Sequence, residues 1–180
     1  MPEEVKRLVC LANSRKLGGR CVAGKELLPD GSMGAWVRPV ANQGSGEVPV
    51  WECMYQDGSE PAVLDILEVP VIGHVPKVYQ RENWELDQKR LWRKLGRVTY
   101  EEASRHVDAL RHLWKPGYNT YNGLNDHVPL EEAKRESDSL RLIKVTNLAL
   151  SVRAPGRHSA IPQEGFWETF AMRGSNTGSG

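Results

Sequence analysis

A chain of 180 residues, 39% hydrophobic and 26% charged, is sized for one domain or for one domain with a small appendage. Its formal net charge of +1 excludes the uniformly basic surface of a general polyanion binder. Cys10, Cys21 and Cys53 are too few and too irregular for a disulfide framework or a zinc knuckle, and no apolar run approaches the ~20 residues that cross a bilayer. With an opening MPEEVK unlike a signal peptide, the chain reads as cytoplasmic, with no membrane partner and no metal or cofactor signature.

Taken in order, Leu8–Ala12 is a continuous apolar run that predicts a buried strand. The basic Arg15–Arg20 loop, with its Gly18-Gly19 pair, predicts a turn into a second strand, Cys21–Leu27. Pro29-Asp30-Gly31 marks a turn before a third strand, Gly34–Val40. Val63–Ile72 is apolar on both faces, as expected of a strand inside a barrel or sandwich. Two helices are then predicted. Asp87–Leu95 groups Leu91, Trp92 and Leu95, with Gly96 to end it. The second opens on a Thr99/Glu102 capping box and repeats Ala103, Val107 and Leu110 at helical spacing up to Lys115-Pro116-Gly117. A short helix is expected from Pro129, and a bent strand over Leu140–Val152. Arg157–Gly180 loses pattern and ends Gly/Ser-rich, which predicts a disordered tail.

The resulting architecture is mainly β: an OB-like β-barrel over 1–156 with two or three short inserted helices around 87–136, followed by a divergent tail, 157–180. The segments VCLANSRKLGGRCVAGKEL, GAWVRPV, LDILEVPVI, ENW, YNGLNDHV and SLRLIKV together resemble a prokaryotic family, the dual OB-containing domain, up to about Arg153. That resemblance implies two OB-like barrels, the second incomplete here, and a nucleic-acid-binding role. It carries over no catalytic residues.

Three groups of residues suit such a role. In the first, Asn13, Arg15, Lys16 and Arg20 surround two glycines, where backbone N–H groups and guanidinium donors can meet a phosphate. In the second, Trp36, with Arg38 beside it, and Trp84 offer stacking surfaces for bases. In the third, Asn122, Asn125 and Asp126 lie in one loop and can read base edges. The expected partner is single-stranded DNA, RNA or a nucleotide. Two other classes stand beside this reading. A hydrolase or nuclease would use Cys10, Cys21 or the Asp126-His127 pair. A protein-interaction module would use the acidic stretch Glu47–Glu68 and the basic stretch Asp87–Arg97.

Overall fold

The computed structural model describes residues 4–16, 18–42, 46–109, 117–120, 126–136 and 139–145. Six strands are present: β1 (Glu4–Lys16), β2 (Gly19–Leu27), β3 (Met33–Val40), β4 (Asp65–His74), β5 (Asn83–Leu86) and β6 (Arg93–Arg97). Three short helices accompany them: α1 (Val50–Cys53), α2 (Tyr100–Ser104) and α3 (Leu130–Ala133).

The pairings run β1-β2-β3-β5-β4 and return from β4 to β1, closing a five-strand ring, with β6 hydrogen-bonded to β4 outside it. All contacts are antiparallel except β3 with β5. The first two strands run further than expected. Arg15 pairs with Arg20 and Lys16 with Gly19, and Gly18 takes φ +87°, a left-handed conformation open to glycine at no steric cost.

Alternation along these strands separates an interior from an outer face. Leu8, Cys10, Val22, Val37, Leu67, Val69, Val71 and Leu86 fill the ring, joined by Cys53 from α1 and by Tyr55 and Trp92. Leu8 and Leu67 are fully buried, and each such side chain contributes roughly 1.5–3 kcal/mol. Gly24 is required inside: a Cβ there would overlap the Val9 carbonyl oxygen. A second apolar cluster lies on the outer face, where Val9 and Leu11 of β1 meet Ala103 of α2 and Leu142, with Trp36, Leu64 and Ile66 packed around them.

Three expectations are corrected. No helix covers Asp87–Leu95. The Asp87 carboxylate and carbonyl accept from Lys89 and Arg90 N–H, forming a turn, and Arg93–Arg97 then pairs with β4 from Glu68 to Asp65. Trp92 still enters the core, but Leu91 and Leu95 are exposed, so the three do not share one face. The second helix has its capping box, with the Glu102 N–H donating to Thr99 Oγ1 at 3.1 Å and the Thr99 N–H to Glu102 Oε2 at 2.6 Å. It nevertheless ends at Ser104. The Asp108 N–H donates to the Leu142 carbonyl at 2.8 Å, because His106 and Asp108 are drawn onto the sheet by Lys25. Finally, residues 140–145 alternate, with Leu140 and Leu142 buried, but they form no ladder. The expected helical continuation at 110–115, strand residues 146–152 and the tail lie outside the described residues. The helix expected from Pro129 is α3.

The acidic stretch is met partly by the basic stretch and partly by Arg7 and Arg20. Asp65 pairs with Lys94 and Arg97, Glu68 with Arg7 and Arg93, and Glu60 with Arg20.

Candidate functional site

Strands β2, β3 and β5 present one continuous row of polar and aromatic groups on their outer side. Lys25 stands opposite Trp36 across β2–β3, with its ammonium 5.9 Å from the ring centroid. Two residues on from Trp36, on the same side of β3, is Arg38, which stands beside Asn83 in the parallel β3–β5 ladder. Arg38 Nε donates to Asn83 Oδ1 at 2.8 Å. Two cations, an indole and an amide thus line a single face.

That face is closed. Lys25, Arg38 and Asn83 are 7%, 8% and 0% exposed. Asp108 sits on it: Lys25 Nζ donates to Asp108 Oδ1 at 2.5 Å and to the His106 carbonyl at 2.9 Å. The other carboxylate oxygen, Oδ2, accepts from Trp36 Nε1 at 3.4 Å and from the Leu142 N–H at 2.7 Å. Leu140 packs with Trp36, Ala12 and Ala23, and Ser139 Oγ donates to the buried Glu82 carboxylate. Under this cover Asn83 Nδ2 is buried with no hydrogen-bond partner among the described residues. An orphaned buried donor is uncommon and costs about 1–3 kcal/mol.

The other residues singled out from sequence are dispersed. Arg15 is exposed near the β1–β2 turn. Arg20, across the ladder from it, is held in from solvent, its Nε donating to Glu60 Oε2 at 2.5 Å. Asn13 donates through Nδ2 to the Pro61 carbonyl at 2.6 Å. Trp84 is half-buried against the ring interior, with Lys6 Nζ 3.9 Å above its ring and the His74 ring 4.9 Å away. Asp126 fastens its own loop, accepting from the Thr120 N–H at 2.7 Å and from Thr120 Oγ1 at 2.5 Å. The Thr120 hydroxyl holds its carboxyl below the usual range. Asn122, Asn125 and the Lys16 side chain lie outside the described residues.

Of the residues that line this face, sequence reasoning singled out Trp36 and Arg38 but not Lys25 and Asn83. The period-2 rule carried the signal for Lys25, which shares a strand face with Cys21 and Ala23. Asn83 had no such signal, because its place depends on a parallel pairing with β3. Cys10 is fully buried, and its thiol is pushed up to about 12 by burial and then by the Asp65 charge. Burial likewise pushes Cys53 up to about 11. A thiol needs its anion to attack, so neither site activates a nucleophile.

The strand order, the ring closure and the parallel β3–β5 contact define an OB-like barrel. The chain belongs to the dual OB-containing domain family, whose model matches residues 6–177. The match runs past Arg153, where the likeness was expected to end. No curated protein matches the chain, and no solved structure does. Among the described residues no helix is long and apolar enough to cross a membrane.

Proposed function

We propose that this domain binds single-stranded nucleic acid on the outer face of β2, β3 and β5, with the β1–β2 hairpin tip as a second contact. The observation that carries the reading is the Lys25–Trp36–Arg38–Asn83 row. OB-folds take oligonucleotides on the face of their second and third strands and on the adjoining loops. A base stacked on an aromatic ring gains ~1–3 kcal/mol, and flanking cations meet its phosphates. Arg15 and Lys16, in the hairpin of β1 and β2, are assigned to phosphate contact on their charge. Asn122, Asn125 and Asp126 are assigned to base selection on their chemistry, as donors and acceptors for base edges. Three cysteines in no disulfide fit a reducing compartment such as a prokaryotic cytoplasm.

The test is fluorescence anisotropy with labelled single-stranded DNA, single-stranded RNA and a duplex, each at two salt concentrations. Single strands should bind best. With three or four phosphates engaged, the log–log salt slope should be about −2 to −3. Trp36→Ala should weaken binding about tenfold, and Lys25→Ala should flatten the salt slope by about 0.7. Equal binding of all three nucleic acids by wild type and Trp36→Ala would refute the face as the site.

A further inference from the structure

The same face is covered by the chain's own residues, and the chemistry of the cover matches that of the expected ligand. Asp108 brings an anion to the Lys25 ammonium and the Trp36 indole N–H, where a phosphate would accept the same two donors. Leu140 lies against Trp36, where a base would stack. Ser139 is tethered to Glu82, whose backbone carbonyl accepts from the Arg38 N–H at 2.8 Å. On the same face Asn83 Nδ2 is buried with no hydrogen-bond partner among the described residues. A cover built only to complete the core would be expected to satisfy that donor, since its burial otherwise goes uncompensated.

We infer that Asp108 together with Ser139–Leu142 is an autoinhibitory latch, an internal mimic that a single-stranded nucleic acid must displace to reach Lys25, Trp36, Arg38 and Asn83. This rests on the reading of that face as the nucleic-acid site. Three of the contacts that hold the latch on the sheet are ones a ligand can replace: an ion pair, an indole hydrogen bond and an aromatic contact; Leu142 packing on Val9 and Leu11 and the Ser139–Glu82 bond add to them. The latch is also held by two hydrogen bonds between Asp108 and Leu142, the Asp108 N–H donating to the Leu142 carbonyl and the Leu142 N–H to the Asp108 carboxylate, which link its two segments to each other and not to the sheet. Release therefore leaves the β-ladders of the ring intact. The apparent dissociation constant equals the intrinsic one divided by the fraction of molecules with the latch open, so weakening the latch tightens binding.

The experiment uses the full chain with labelled 12-nucleotide single-stranded DNA and RNA of mixed sequence, read by anisotropy and by amide hydrogen exchange. Asp108→Asn removes the anion and keeps the shape. It should raise affinity roughly fivefold or more, the scale of linked equilibria in proteins. Leu142→Ala, which leaves the Lys25–Asp108 pair in place, should raise it less, in the same direction. Adding oligonucleotide to the wild type should speed exchange at the Asp108 amide while the β1–β2 ladder amides keep their protection. Oligonucleotide bound with that amide still protected, or affinity unchanged or lowered in both variants, overturns the latch and leaves the nucleic-acid reading standing. No binding by either variant, with the Asp108 amide exchanging freely in Asp108→Asn, removes the nucleic-acid reading and the latch with it.

Discussion

Asp65 shows how one buried charge is held in this domain. It is fully buried, which by itself raises a carboxyl's pKa, but a hydrogen bond from Lys94, the Ala62 N–H and the Tyr55 hydroxyl outweigh that and hold the carboxyl below the usual range. The same arrangement, burial first and then the hydrogen bond to Asp65, pushes the Tyr55 phenol up. A carboxyl depressed in the folded state binds fewer protons there than in the unfolded chain. Its stabilising contribution is therefore complete above the unfolded value of ~3.9 and is lost as pH falls through the folded value. Asp65→Asn should lower stability at pH 7 and remove part of the wild type's loss of stability below about pH 4. Urea midpoints at pH 7 and pH 3 measure both; parallel losses in the two proteins would contradict this account. Beside Asp65, Leu64 takes φ +77°, a left-handed conformation that costs a non-glycine residue about 1 kcal/mol. Its N–H donates to the Cys10 carbonyl and its carbonyl accepts from the Val98 N–H, so both neighbours hold it there.

At the scale of elements, what could be read in advance was whatever local chemistry decides. The β1–β2 hairpin was legible from an apolar run, a Gly-Gly pair and a second apolar run. The start of α2 was legible because a capping box is written in four residues. Its end was not, because Lys25, some eighty residues upstream, takes the His106 carbonyl and the Asp108 carboxylate and pulls the chain out of helical register. Arg93–Arg97 was misread for a similar reason: Leu91, Trp92 and Leu95 fit a helical stripe, and only pairing with β4 makes the segment a strand. The candidate face divides in the same way. Trp36 and Arg38 stood out as residue types, whereas Lys25 looked like an ordinary solvent-facing lysine, because its partner Asp108 is distant in sequence. The cap on α2 gives a direct check. Thr99→Ala removes the side chain that accepts from the Glu102 N–H and should cost about 1 kcal/mol. A lowered urea midpoint is the expected readout, with faster exchange at the Asp108 amide, since α2 leads straight into that contact.

Across the whole molecule, a net charge near zero conceals a pairing pattern. The acids of β4 are met by the bases of β6 and by Arg7, so much of the basic stretch from Asp87 to Arg97 is engaged within the fold. Nucleic acid should therefore find little there. The double substitution Arg7→Gln and Arg93→Gln is expected to leave oligonucleotide affinity within about twofold and the salt slope unchanged, whereas Lys25→Ala flattens the salt slope; anisotropy of all three proteins against one labelled strand at two salt concentrations decides the matter. The ring has a further consequence through β1, which pairs along one edge with β2 and along the other with β4, Glu4 lying opposite Val71. On the ribosome β2 follows at once, but β4 emerges only after some forty more residues, a delay of about 2–8 s at ordinary synthesis rates. During that interval the newborn hairpin carries an open edge beside Leu8 and Val9, an invitation to pair with another chain. This protein's exposure to aggregation is thus greatest while it is being made, in the interval before β4 reaches the free edge of β1.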